Sequence, residues 1–472
     1  MFALTYDAMA PAMFGGLVVF LILGFPVAFS LAACGLAFAA LGIELGHFQP
    51  AFLQSLPLRV FGILSNELLL AIPFFTLMGA ILERSGLAED LLESFGQLMG
   101  KLPGGLGYAV ILVGAVLGAI TGTVAASVIA MGMISMPAML RTGYSPRFAS
   151  GVIAASGTIT QVIPPSLVLI VLAEVLGRSV GDMYLGAIGP SFLQLALFLG
   201  YVAVLAFFRP ELVPPLPDAM LTLKGWALWR RAAAGMIPSL ALIFLVLGTI
   251  FLGLATPTEA GAMGTVGAMI LAAAHGRLTL PLLWQGVETT MRITAMVVFI
   301  LIGATVFSLV FAGMDGAHWI EGLLQSLPGG TTGFLVAVNV FIFVLAFFLD
   351  FFEIAFIILP LLVPTAKALG IDMVWFGVML CVNLQTSFMH PPFGFALFYV
   401  RSVAPVDQVS TRDIYLGAVP WLLLQLVLVG VVIAWPESVT YWVGGDAGVD
   451  PASVTIELPV FAPPPDVPFE FK

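Results

Sequence analysis

Residues 102–166 read LPGGLGYAVILVGAVLGAITGTVAASVIAMGMISMPAMLRTGYSPRFASGVIAASGTITQVIPPS, and residues 327–393 read LPGGTTGFLVAVNVFIFVLAFFLDFFEIAFIILPLLVPTAKALGIDMVWFGVMLCVNLQTSFMHPPF. Slid by 227 positions, Pro137 falls on Pro364, Gly143 on Gly370 and Pro164-Pro165 on Pro391-Pro392 without a gap between them. Slightly smaller offsets carry the match upstream: LPGG at 102–105 meets LPGG at 327–330, and LMGA at 77–80 meets LIGA at 301–304. The chain is therefore two homologous halves. We place the first at 12–208 and the second at 232–436, joined by a basic connection at 209–231, with a short N-terminal segment, 1–11, and a tail, 437–472.

Composition says where these halves live. Of the residues 61% are hydrophobic and only 9% charged, and the mean hydropathy is +1.12. A soluble domain carries about a quarter charged residues, so this is a membrane protein in contact with the lipid bilayer. The net charge of −10 argues against a nucleic-acid partner, and two cysteines, Cys34 and Cys381, both in apolar runs, against a disulfide scaffold. Both read as buried thiols packed as small hydrophobes. Half of the net charge sits in the tail, where six acids face one base, Lys472. With its APPP run at 462–465 it reads as a loosely ordered extension outside the bilayer. Arg209, Lys224, Arg230 and Arg231 crowd the central connection, which the positive-inside rule assigns to the cytoplasm. The N-terminus MFALTYDAMAPAMF lacks the basic region of a cleavable signal.

A bilayer core of about 30 Å takes about 20 helical residues. Most stretches free of Asp, Glu, Lys and Arg fit one crossing, but residues 102–140 do not. As a single helix they would run roughly 58 Å, about twice the hydrocarbon thickness, so the segment must break or turn back. Its centre, with Gly114, Gly118 and Gly122 beside Thr121, Thr123 and Ser127, suits a re-entrant tip whose freed backbone groups face protein, water or an ion. The copy, 322–366, is apolar apart from Asp350 and Glu353. Each half also holds a second break, SGTITQVIPPS at 156–166 and NLQTSFMHPPFG at 383–394. A Pro-Pro pair removes two backbone donors and frees upstream carbonyls, while neighbouring hydroxyl and amide side chains add oxygens. Clustered oxygens are what a hard cation takes. Internal duplication with discontinuous helices is the pattern of a secondary transporter. The fold class expected is an all-α polytopic membrane protein of two homologous repeats, inverted by expectation, each with a re-entrant helical hairpin and a broken helix.

The oxygens at the breaks are the candidate ligands. Asp350, an acid in an apolar hairpin with no base near it in sequence, either binds sodium or substrate or is a structural acid bonded to the tip backbone. Glu353, one turn on, carries the same two readings. Thr121, Thr123, Ser127, Ser156, Thr158, Asn383 and Thr386 count collectively, because hydroxyls commonly bond back to their own helix. Gln161 and Gln385 offer hydrogen bonds to a substrate, and Arg401 a guanidinium for a carboxylate or for headgroups. His390, directly before Pro391, is either a proton relay or a hydrogen-bonded structural residue. Glu67, Arg84, Glu174, Glu259 and Arg292 read as interfacial or snorkelling. With no Walker loop, dinucleotide fingerprint, HExxH or paired-Cys spacing, the chain reads as no enzyme, and energy must come from an ion gradient or a partner.

The two quoted runs resemble the large membrane subunit of tripartite ATP-independent periplasmic (TRAP) transporters over about residues 10–436, and within the second the blocks LDFFEIAF and NLQTSF look more like members associated with 2-oxo acids, lactate or related monocarboxylates than with sialic acid. That resemblance implies a sodium-coupled elevator-type importer of the bacterial inner membrane, of the ion-transporter-superfamily fold. It implies no cofactor beyond Na+ as coupling ion. Its implied partners are a small four-helix membrane subunit and a soluble periplasmic protein that delivers an organic acid. Carried over by position, the sodium sites would fall on the first tip with Ser156, Gly157 and Thr158, and on Asp350 with Asn383 and Thr386, with substrate between the tips; the candidate substrate contacts are Gln161, Gln385, Ser387 and Arg401. This chain departs from the pattern in two places: the first tip reads TGTVAAS where many relatives carry an acid, and His390 stands where they often have a small or hydroxyl residue. The alternative is a stand-alone ion-coupled organic-anion transporter or exporter of the same superfamily, which would need neither partner.

Overall fold

The computed structural model describes residues 5–121, 123–217, 225–325, 328–347 and 349–443. The acidic tail from 444, Lys224 in the central connection and the side chain of Arg231 lie outside the described residues. Every regular element described is helical. The first half runs α1 Tyr6–Ile22, α2 Val27–Glu44, α3 Leu56–Leu64, α4 Ala71–Arg84, α5 Leu87–Met99, α6 Gly105–Thr121, α7 Val124–Arg141, α8 Pro146–Thr158, α9 Leu167–Leu176 and α10 Val180–Phe208. The second runs α11 Trp226–Phe251, α12 Pro257–Ala274, α13 Leu280–Gly313, α14 Gly316–Gln325, α15 Gly330–Leu345, α16 Phe351–Ala368, α17 Met373–Leu384, α18 Phe395–Val403 and α19 Thr411–Ala434, before a last turn, α20 Glu437–Thr440. Among the described residues seven helices, or eight counting the bent pair 50–84 as one, are long and apolar enough to cross a bilayer.

The duplication is visible element by element. α1 corresponds to α11, α2 to α12, and so on to α10 and α19, with one difference: α3 and α4, bent by 44° at the break between them, answer to the single 34-residue α13. At that bend Asn66 caps the turn by accepting from the Leu68 N–H. Helix starts are set by local chemistry. Ser179, Thr256, Asp372 and Ser410 accept the orphan N–H groups of α10, α12, α17 and α19. α11 begins at Trp226, so Arg230 stands in its first turns with Trp226 and Trp229 exposed beside it, as residues at a membrane–water boundary do.

Packing between the halves is reciprocal. α2 lies on α13 and α12 on α4; α8 lies on α19 and α17 on α10; α1 meets α14 and α11 meets α5. Such exchange is what a two-fold relation between repeats requires. It divides the interior into two cores, each mixing the halves: α5 to α8 close on α18 and α19, while α15 to α17 close on α9, α2, α4 and α13. Large apolar side chains such as Phe207, Phe208, Phe244 and Leu280 are exposed, whereas Ser156, Thr158, Asn383 and Gln385 are buried. That inverts the soluble pattern and fits a protein whose solvent is lipid. Cys34 and Cys381 are free and buried, as expected.

Candidate functional site

The 102–140 stretch breaks between α6 and α7, which pack on each other, so the chain turns back. Thr123 sits in extended backbone at the head of α7, its side chain making no capping bond, and Ser127 is fully buried one turn on. The Thr121 side chain and Gly122 lie outside the described residues. The second tip puts Asp350 at the equivalent of Thr123. Asp350 caps α16, its Oδ1 accepting from the Phe351 N–H at 2.7 Å, while Glu353 Oε2 accepts from the Asp350 N–H at 2.9 Å. The two acids thus form a capping box, the tip-bonded geometry of the structural reading. A π-helical turn, Ile354–Ile358, follows directly, upstream of Pro360, which has no N–H to give.

The broken helices are equally matched. α8 passes at Thr158 into a 3₁₀ turn, Ile159–Gln161, then the cis Pro164-Pro165 pair, before α9 starts on the Ser166 cap. α17 passes at Leu384 into Gln385–Met389, then the cis Pro391-Pro392 pair, before α18. The first break is held against the first hairpin at glycines. A Cβ on Gly114 would lie 2.6 Å from Ser156 Cβ, one on Gly118 2.8 Å from Thr160 Cα, and one on Gly157 would collide with Val128. In the second half the place of Gly114 is taken by Asn339, which is buried and carries its own amide to the break. Asn383 Nδ2 donates to Asn339 O at 2.9 Å and to Asn339 Oδ1 at 3.0 Å.

The break hydroxyls point their hydrogens backwards. Ser156 donates to Ile153 O, Thr158 to Ala155 O and Thr386 to Asn383 O, at 2.7–2.9 Å. Such bonds are common in helices, and they leave lone pairs, not protons, facing away from the helix. Several buried polar atoms at the breaks have no partner: Thr160 Oγ1, Gln161 Oε1, Asn383 Oδ1, Ser387 Oγ, Gln425 Oε1 and both ring nitrogens of His390. Native interiors leave few such atoms without a partner, a water or an ion to meet them.

Besides Asn339, two residues escaped the sequence reading. Gln194 Nε2 donates to Gln385 Oε1 at 2.6 Å and Gln385 Nε2 returns to Gln194 Oε1 at 3.3 Å, both side chains fully buried. Gln425 Nε2 donates to Thr158 Oγ1 at 2.8 Å. Gln194 lies on α10 and Gln425 on α19, so the last helix of each half reaches into the break of the other. The signal was there, since DMYLGAI at 182–188 and DIYLGAV at 413–419 align at an offset of 231 that also superposes Gln194 on Gln425. Gln385, expected to face substrate, is engaged by its own kind, and Arg401, near the end of α18, donates to Val409 O at 2.9 Å. Gln194→Ala should lower thermal stability by about 1–3 kcal/mol, because it orphans the Gln385 amide. Adding Gln385→Ala should cost little more, a non-additivity that a double-mutant melting series would show.

The comparisons agree with this architecture. Residues 14–438 match the family model described as "Tripartite ATP-independent periplasmic transporter, DctM component". The C4-dicarboxylate TRAP transporter large permease protein DctM of Rhodobacter capsulatus is 30% identical over 437 residues, 88% of this chain and 94% of that one. The isethionate TRAP transporter permease protein DctMQ of Oleidesulfovibrio alaskensis is 28% identical, over 92% of this chain and 67% of that longer protein. The crystal structure of the Alcanivorax borkumensis YdaH transporter shares the fold, with a TM-score of 0.59 at 16% identity over 81% of this chain and 87% of that one. The interlocked halves, the apolar spans and a family match over nearly the whole chain lead to one conclusion: this multi-pass protein of the bacterial inner membrane belongs to the DctM family of TRAP transporter large permease subunits.

Proposed function

We propose that this permease subunit imports an organic acid by coupling to sodium, with the two tips and two broken helices forming the ion and substrate sites. The observation that carries the reading is the gathering of unpartnered buried oxygens and back-bonded hydroxyls at the corresponding breaks of the two repeats. A hard cation is held by oxygen lone pairs. Among the described residues no three His, Cys, Asp or Glu side chains converge, and the donors at the breaks are hydroxyl, amide and carbonyl oxygens, with Asp350 the one acid at the tip of its repeat besides Glu353. That set suits a monovalent hard cation better than a soft metal. On this reading Ser156, Thr158 and the backbone around Gly157, with Thr121, Thr123 and Ser127 of the first tip, hold one ion, and Asp350, Asn383 and Thr386, joined by Asn339, hold another. Gln161 and Ser387 face the substrate. Gln385 serves the pairing with Gln194, and Arg401 the end of α18.

The relatives support a small organic anion as cargo, since their names specify C4-dicarboxylate in one and isethionate in the other. Motion is of the elevator type, with the α2–α13 and α4–α12 pairs as the frame and the tips and broken helices as the part that moves. A small four-helix membrane subunit and a periplasmic binding protein complete the system. Proteoliposomes test this. With all three components and an inward sodium gradient, a labelled organic acid should accumulate, and omission of either partner should abolish uptake. Uptake by this subunit alone would favour the stand-alone anion carrier instead.

A further inference from the structure

His390 stands at the second break, outside both ion sites and the crossed glutamine pairs. Its side chain is fully buried. The imidazole lies stacked on Phe347, centroids 4.2 Å apart at 23°, and edge-on to Phe343 at 4.3 Å and 67°. The two phenyl rings fix its plane, yet neither ring nitrogen has a hydrogen-bond partner. A neutral imidazole carries one N–H donor and one acceptor. Leaving such groups unpaired in a buried site is unfavourable unless something else meets them. Ser387, three residues earlier and also buried, has an unpartnered hydroxyl as well.

Comparison of the repeats separates what serves ions from what serves the cargo. Hydroxyl and amide oxygens occur at matched positions in both halves: Ser156 with Asn383, Thr158 with Gln385, Thr160 with Ser387. The aromatic clasp occurs in one half alone. At the equivalents of Phe343, Phe347 and His390 the first half has Gly118, Gly122 and Ile163, and Gly118 there lets the hairpin close directly on the Thr160 backbone. A two-fold-related pair of sites suits two like ions. An organic anion has unlike ends, and a group present in one repeat only gives it a direction.

We propose that His390, held in plane by Phe343 and Phe347, is a substrate-binding residue that orients the organic acid, its N–H donating to an oxyanion oxygen of the cargo at the second break. The proposal rests on the coupled-transport reading above and adds to it the residue that fixes which way round the anion lies. Three consequences follow. His390 does not hold sodium. His390→Phe keeps an aromatic ring between the two phenyl rings while removing both nitrogens. His390→Gln keeps a donor and an acceptor.

The test is thermal unfolding of the purified full chain, first in sodium against potassium chloride, then in fixed sodium chloride with succinate or isethionate titrated in. The wild type should be stabilised by sodium and further by at least one of the two anions. His390→Phe should keep the sodium step and show an anion half-saturation raised about tenfold or more, the scale of one hydrogen bond to a charged group. His390→Gln should recover part of the loss. A normal sodium step with an unchanged anion response in His390→Phe overturns the proposal alone, as does a wild type that neither anion stabilises. A wild type indifferent to sodium overturns the reading beneath it as well. Should His390→Phe not fold, the imidazole nitrogen shifts of ¹⁵N-histidine-labelled wild type give the same contact, with the His390 signals assigned by their absence in His390→Gln. Their displacement by the anion supports the proposal and their constancy overturns it.

Discussion

Asp350→Asn should leave the protein folded and raise the sodium concentration needed for half-maximal uptake by at least tenfold. The side chain caps α16, and asparagine caps as well as aspartate, so the Phe351 N–H keeps its acceptor and Glu353 still closes the box from the other side. What disappears is the negative charge. Even at an effective dielectric of about 20, a unit charge about 4 Å from a cation is worth about 4 kcal/mol, enough for a loss of two to three decades in affinity if fully expressed. The melting temperature in potassium should therefore stay close to wild type while the sodium dependence collapses. Glu353→Gln serves as the comparison, since it too preserves the box, and its effect should be smaller if Asp350 is the ligand. An unchanged half-saturating sodium concentration in Asp350→Asn would show that the acid serves the tip backbone only.

Gly151→Ala should be the most destabilising single methyl added to the broken helices. Here α8 and α19 touch backbone to backbone. A Cβ on Gly151 would collide with the Gly417 carbonyl oxygen and stand 2.7 Å from Trp421 Nε1, and one on Gly417 would collide with the Arg147 carbonyl and stand 2.9 Å from Ser150 Oγ. Trp421 itself is 1% exposed, edge-on to Phe198 and Tyr201 at 5.0 Å, so it has nowhere to retreat. Carbonyls of a helix cannot swing aside as a flexible side chain can, and overpacking of this kind costs about 1–3 kcal/mol or more. The same contact carries the Arg147–Asp413 ion pair at 3.0 Å and positions Gln425 on Thr158, so transport should fall together with stability. Gly200→Ala on α10 is the control, because a Cβ there meets nothing within 4 Å. It should be neutral or gain up to about 1 kcal/mol from helix propensity. Equal melting temperatures for the two variants would mean that the α8–α19 approach is looser than described.

The duplication was legible because its markers are residues with few other uses in an apolar chain: the proline pairs, the LPGG turns and the polar clusters beside them. The breaks were legible for the same reason, since a charge-free run of 39 residues cannot be one crossing. How the halves interlock was not. Hydrophobic periodicity is weak where a helix is apolar all round, so no pattern in α10 or α19 shows which face meets α17 or α8. Gln194 and Gln425 went unread because insertions after the proline pairs change the offset from 227 to 231, which hides their equivalence from a single slide of the sequence. Asn339, a single amide in an apolar run, also went unread, although it stands opposite Gly114 and beside Asn383. Gln385 looked like a substrate contact from its place in the break, and only the long-range partner on α10 shows it engaged. In each case the missing information was a partner more than forty residues away.

The central claim is that the matched breaks bind sodium, and one measurement tests it most directly: thermal unfolding of the purified wild-type protein in sodium chloride and in potassium chloride at equal ionic strength, over a series of concentrations. A ion that binds the folded state stabilises it by mass action, so the melting temperature should climb with sodium concentration and stay nearly level with potassium. Curves that coincide for the two salts at every concentration would contradict the account.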